Sequence, residues 1–249
     1  MYEIELTGKE LIVIAASLGA PVFQGVPNPF LGLNKSDIYS EMPKIQSDLE
    51  KKQYISIGFE KSFSIKKEVQ EIVALCIFCK KYITIDAVQN GSIMPKKVFY
   101  LGDEKSVLLK EVDTQYVLQI LSPEELTESL FREELKGFVT SECRDENIIS
   151  RTALKEITDL DEATIKEKWM SIGISLDMAD SLYRGFLKEL DYCSLIAVDL
   201  IEKKSKCFIC FFSEKGGLQL MPFYENLEDE WKICWINEER ARTVLKEML

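Results

Sequence analysis

Four of the seven cysteines fall into two pairs with the spacing used by zinc sites and dithiol redox centres, Cys76-x-x-Cys79 and Cys207-x-x-Cys210. The context suits neither chemistry. Structural zinc needs its thiolates on a tight turn, usually shaped by glycine or proline. Cys76 and Cys79 lie within an amphipathic helical pattern. Cys207 and Cys210 lie in an apolar strand pattern, where positions three apart face opposite sides. A redox dithiol would follow a βαβ pattern, and none precedes either pair. Cys76, Cys193, Cys207, Cys210 and Cys234 all sit in apolar runs, and the odd total fits poorly with a disulfide framework. Reduced, buried thiols are the expectation.

Other chemistry is equally sparse. The chain contains no histidine, which removes Ser-His-Asp and Cys-His catalysis and every His-containing metal site. The acidic pairs Glu124-Glu125, Asp159/Asp161 and Glu228-Asp229 stand at helix starts or in loops, where acids cap helices or stay solvated. No G-x-x-x-x-G-K-[ST] or G-x-G-x-x-G loop is present to cradle phosphate. An enzyme here would have to work with carboxylate, Lys, Tyr or Cys side chains. No catalytic residue, metal or cofactor is assigned.

The elements that would position a site follow from periodicity. Thr7 and Glu10 form a T-x-x-E capping box that opens a helix over 8–18, stopped by Gly19 and Pro21. Residues 19–35 read as a Pro/Gly loop tacked to the core by Val22, Phe23, Phe30 and Leu31. A second helix is expected over 40–53, a short strand over 54–59, and a helix over 65–79 capped by Ser64. Strands follow at 81–88, 97–101, 106–111 and 116–121, with turns at Asn90-Gly91 and Gly102-Asp103. Ser122-Pro123-Glu124-Glu125 starts a helix. The polar stretch 137–150 reads as a joint. Beyond it come helices at 151–158, 161–171 and 176–189, strands at 193–200, 207–212, 217–223 and 231–236, and a helix over 238–248 capped by Asn237.

This order repeats. KKYITIDAV (80–88) lies over LDYCSLIAV (190–198), matching Tyr82 with Tyr192 at an offset of 110 residues. VFYLGDEKSVLL (98–109) lies over FICFFSEKGGLQ (208–219), and Val69, Ile72, Val73 and Cys76 lie over Ala179, Leu182, Tyr183 and Phe186. A five-residue insertion near Tyr224 then brings YVLQILSPEEL (116–126) over WKICWINEERA (231–241). The expected class is α+β, with an antiparallel sheet built from a quasi-two-fold duplicated unit. The expected organisation is one domain over 1–249, made of repeats at about 36–136 and 150–249 after an N-terminal helix and loop, 1–35.

One cluster suggests recognition. CFICFF (207–212) is apolar on both faces, and Phe223, Tyr224, Trp231 and Trp235 follow it. A buried central strand explains this pattern; so does a binding face rich in aromatics. The connection Gln89–Lys97, carrying Ile93, Met94 and Pro95, is longer than its counterpart Glu202–Lys206, so asymmetry enters there. Ile93, Met94, Pro95, Phe223, Tyr224 and Trp231 are the candidate protein-contact residues.

The net charge of −11 opposes binding to nucleic acid, and the basic recognition helix that a winged-helix reading of 38–62 would need is missing. LIVIAASLGAPVF (11–23) follows Glu3, Glu5 and Glu10 rather than a basic segment and is too short to span a bilayer, so neither export nor stable membrane insertion is expected.

Four stretches carry a family resemblance: LTGKELIVIAASLGAPV (6–22), DLEKKQYISIGF (48–59), VLQILSPEELTESLFREEL (117–135) and WKICWINEERARTVLKEML (231–249). In hydrophobic spacing they resemble the EspG family, cytosolic chaperones of type VII (ESX) secretion systems. The Lys-, Ile- and Glu-rich composition looks like that of a low-GC Gram-positive relative. The resemblance implies a quasi-two-fold sheet flanked by two helical bundles, a cytoplasmic location, and a non-enzymatic role holding the tip of a helical-hairpin secreted substrate. It leaves a homodimer open. The competing expectations are an acidic, immunity-type protein that neutralises a basic partner, and an enzyme using carboxylate or Cys chemistry.

Overall fold

A computed structural model of the chain describes residues 2–20, 22–58, 63–135, 146–222 and 230–249. The class is α+β, and the strand pairings within each unit are antiparallel. The chain divides into two compact units, Met1–Thr84 with Lys97–Pro123, and Ile85–Lys96 with Glu124–Leu249.

The first unit opens with β1 (Glu3–Thr7) and α1 (Gly8–Ser17), followed by α2 (Lys35–Lys51), β2 (Ile55–Ile57), β3 (Phe63–Ile65) and α3 (Lys67–Ile77). The boundary between the units falls inside β4 (Lys81–Gln89), after which come β5 (Ser92–Ile93), β6 (Lys97–Leu101), β7 (Ser106–Val112) and β8 (Gln115–Leu121). Its sheet runs β1-β8-β7-β6. β1 alternates, so Ile4 and Leu6 enter the core while Glu3 and Glu5 stay exposed. That core joins α1, α2 and α3 to the sheet through Leu11, Ile14, Leu49, Val69, Ile72, Val107 and Leu118.

Four sequence expectations change here. β1 was not anticipated, because its partner β8 lies more than a hundred residues away (Glu3 opposite Gln119). α2 begins at Lys35 rather than 40, because the Asn34 carboxamide oxygen accepts from the Asp37 backbone N–H and caps it early. Ser64 caps no helix; it pairs with Ser56 across β2 and β3, and Lys66 stands at the N-cap of α3 without a side-chain bond. Phe23 and Phe30 do hold the 19–34 loop to the core, Phe23 edge-on to Tyr100 at 5.5 Å, but Val22 and Leu31 are exposed.

The capping box forms as expected and is locked from a second direction. Glu10 is 3% exposed. Its carboxylate accepts from the Thr7 N–H at 2.6 Å and from Lys52 Nζ at 2.8 Å. Lys52 also donates to the Glu5 carbonyl at 3.2 Å. Glu10→Ala removes the side-chain half of the capping box and leaves a half-buried ammonium without its counter-charge, so it is expected to cost about 2–3 kcal/mol. Glu10→Gln, which can still accept the Thr7 bond, is expected to lose less. Urea unfolding of the two variants checks this; an alanine variant within about 0.5 kcal/mol of the parent would overturn it.

The second unit continues with α4 (Pro123–Ser129), a π-helical turn at Leu130–Leu135, β9 (Glu146–Ser150), α5 (Arg151–Lys155), α6 (Glu162–Ser171), α7 (Leu176–Phe186), β10 (Asp191–Asp199), β11 (Lys204–Ser213), β12 (Gly216–Pro222), β13 (Glu230–Trp235) and α8 (Glu238–Met248). Its sheet runs β10-β11-β12-β13-β9. The end of the polar joint is thus a strand: Glu146–Ser150 pairs with β13, while 136–145 lies outside the described residues. α5, α6 and α7 cover one face through Leu154, Ile165, Trp169, Met178 and Leu182, packed on Phe211, Leu218, Leu220 and Ile233. α8, capped by Asn237 as expected, lies over the face that carries Gln219 and Met221.

Candidate functional site

The connection singled out for its length is a tight hairpin held within the second unit. Val88 pairs with Ile93 and Gln89 with Ser92 across β4 and β5. The two residues between them, Asn90 and Gly91, have φ of 52° and 70°. Left-handed backbone at both positions is the type I′ geometry that matches strand twist, and Asn-Gly is the pair that adopts it at low cost. The Asp191 carboxylate at the start of β10 then accepts from both turn amides, Asn90 N–H at 2.6 Å and Gly91 N–H at 3.0 Å. The Met94 N–H donates to the Ala87 carbonyl at 2.9 Å, so the chain leaving the hairpin is held as well.

On this fixed scaffold Ile93 is 87% exposed, Pro95 is exposed, and Met94 is half-buried. A large aliphatic side chain held open to solvent on a pre-ordered turn contributes apolar area to a partner with little entropy left to lose.

Trp231 is placed elsewhere. It is half-buried in β13 and packs against the core beneath α5–α7. Ile233 is level with Leu220, Ile209 and Ser194 across the sheet, so Trp231 is level with Ile196. That is three strands from β10, roughly 14 Å, and five residues along it from Asp191, roughly 17 Å. The structure gathers Ile93, Met94 and Pro95 and separates Trp231 from them. Phe223 and Tyr224 lie outside the described residues.

The structure adds exposed apolar positions that sequence reasoning missed. Met170, Ile172 and Leu176 mark the α6–α7 connection, and Leu200 and Ile201 the β10–β11 turn, whose amides are held by Asp199. For Leu200 and Ile201 a signal was available: at the 110-residue offset they stand where the polar Asn90 and Gly91 stand.

Four of the described cysteines are poorly placed for thiolate chemistry. Burial pushes the Cys76 and Cys210 thiols well above their usual range, raises Cys207, and takes Cys79 to about 11. Thiols so shifted are protonated at neutral pH. Among the described residues no three His, Cys, Asp or Glu side chains come together to hold a metal, and no helix is long and apolar enough to cross a membrane.

No protein-family model matches the sequence, and no curated protein matches it. Solved structures do match in fold. The chain is similar to the type VII secretion system chaperone EspG5 of Mycobacterium tuberculosis, solved in complex with a PE25-PPE41 dimer: the TM-score is 0.68 at 9% identity, over 98% of this chain and 95% of that one.

Proposed function

We propose that the protein is a non-enzymatic chaperone or adaptor of the cytoplasm that holds a helical secreted protein, of the type VII class, through the β4–β5 hairpin. The observation that carries the reading is a fold shared along almost the whole chain with a secretion chaperone, combined with an exposed isoleucine on a turn fixed by Asp191. An apolar helix tip on a secreted hairpin is an aggregation hazard before export. Covering it reversibly needs shape and apolar contact rather than chemistry, in keeping with a chain without histidine and with the Cys76 and Cys210 thiols held protonated by burial.

The proposal includes duplication. β4 starts at 81 and β10 at 191, β7 at 106 and β12 at 216, β8 at 115 and β13 at 230, α4 at 123 and α8 at 238. The offset is 110 for the first two pairs (191 − 81, 216 − 106) and 115 for the last two (230 − 115, 238 − 123). In this reading the first contact residues, Ile93, Met94 and Pro95, sit where the copies differ, and Phe223 and Tyr224, beside the five-residue insertion, form a second patch with Trp231.

Affinity purification from native cells at moderate salt is expected to recover a small helical protein in stoichiometric amount. Ile93→Asp is expected to weaken that complex by about 10–100-fold, the scale of a central hot spot. Its melting temperature should not move, because the side chain is already in water. Met94→Ala should weaken the complex less. Unchanged affinity in Ile93→Asp would remove the hairpin from the interface. A partner lost steeply as salt rises would indicate charge-driven neutralisation instead.

A further inference from the structure

Among the described residues of the second unit, Gln219 is a fully buried polar side chain with an unsatisfied acceptor. In β12, Leu218 and Leu220 belong to the core beneath α5–α7, so alternation turns Gln219 and Met221 to the face covered by α8. Gln219 is 1% exposed. Its Nε2 reaches only the Met221 sulfur, at 3.9 Å, and its Oε1 accepts no hydrogen bond. A buried amide acceptor left unpaired is destabilising and calls for a physical account.

Gln219 lines a cavity of about 440 Å³ between α8 and strands β12 and β13, within the size range of small-ligand sites. Lys232 and Arg240 also line it, but both are engaged: the two grip the Glu146 carboxylate, Arg240 Nη2 at 2.9 Å. These cations hold the Glu146 carboxyl below its usual range. Two further carboxylates at the cavity, Glu239 and Glu247, have no Lys or Arg within ion-pair distance among the described residues. Lys206 approaches Glu247 but donates to its main-chain oxygen. Glu247 also lies in the last turn of α8, where the helix dipole disfavours a negative charge and favours a cation beside it.

The cavity therefore presents the Gln219, Glu239 and Glu247 acceptors while its two cations, Lys232 and Arg240, are committed to Glu146. Glu239 and Glu247 are eight residues apart on one helix, about 12 Å along its axis. Apolar Met221 lies on the wall as well. We propose that this cavity is a binding site for an aliphatic ammonium or guanidinium group, with the Gln219 amide rotating to turn its buried Oε1 toward the ligand N–H and Glu239 and Glu247 flanking the charge. The source of that chemistry is a linear polyamine or a basic side chain of a bound polypeptide. The site stands independently of the hairpin interface.

Titration of the purified protein with spermidine, and separately with an unstructured peptide carrying one lysine and one arginine, tests the proposal. At least one probe is expected to bind saturably at 1:1 and raise the melting temperature, with sodium chloride at matched ionic strength as the control. Gln219→Leu is expected to melt higher than the parent without ligand, because the unmet amide is gone. It should bind about tenfold more weakly, the loss of one charge-assisted bond. Glu239→Gln with Glu247→Gln, both at exposed positions, should fold normally and lose binding. Whichever probe binds more tightly identifies the source. Absence of saturable binding for both probes, or equal affinity in parent and variants, overturns the site.

Discussion

Replacing Trp169 with alanine will destabilise the protein by about 3–5 kcal/mol, the largest single-residue effect expected in the second unit. Trp169 is fully buried in α6. It packs with Ile165, Ile174, Met178 and Leu182, and its indole N–H donates to the Ala153 carbonyl at 3.1 Å. One side chain therefore ties α5 to α6 and fills the space between them and α7. Its own carbonyl accepts from Ile172 and Ile174, closing the α6–α7 connection. Alanine leaves a void in close-packed surroundings and an orphaned acceptor. Trp169→Phe keeps most of the volume and should lose only about 1–2 kcal/mol. Urea unfolding followed by circular dichroism separates the two; fluorescence is less suitable because Trp169 is one of only three tryptophans. A loss below about 1 kcal/mol for the alanine variant would show that the helices close over the gap.

What the sequence disclosed and what it hid divide along the range of the interactions. Thr7 with Glu10, Asn237 and the Asn90-Gly91 turn act on amides within a few residues, and each appears in the structure as read. The strands of the two meanders were legible because their partners are adjacent in sequence. β1 and β9 were not. EIELT alternates, but the capping box that follows it was the stronger local signal, and its ladder to β8 closes across the whole first unit. Glu146–Ser150 reads as polar joint because only Ile149 of that strand is buried, and its partner β13 is some eighty residues on.

The same distinction governs the candidate site. Ile93 drew notice in the sequence because its connection, Gln89–Lys97, is longer than Glu202–Lys206. The grip of Asp191 on that loop, a hundred residues away, could not. Trp231 shows the limit of composition: an aromatic in an apolar strand looks the same whether it faces a partner or, as here, half-enters a core. The unpaired Gln219 carried no local signal, since a glutamine in a strand ordinarily faces water.

Gly185→Ala is expected to reverse the usual sign of a helix substitution. In a helix interior alanine is normally favoured over glycine by about 1 kcal/mol. Gly185 lies in α7 where the helix packs on β11, and a β-carbon there would sit 2.4 Å from Phe211 Cγ and within 2.7 Å of both Cδ atoms. Phe211 has little room to withdraw: it is 5% exposed and meets Phe186 edge-on at 5.5 Å. Overpacking should outweigh propensity and leave a net loss of about 1–3 kcal/mol. A double-mutant cycle isolates the cause. Phe211→Leu alone should destabilise by creating space, whereas Gly185→Ala combined with Phe211→Leu should be less destabilised than the two single losses predict. If the losses simply add, the steric account fails and the ring relaxes into space the packing does not reveal. If they couple by 1 kcal/mol or more, the close approach of α7 to β11 is what requires glycine, and the missing side chain is part of how the sheet face is covered.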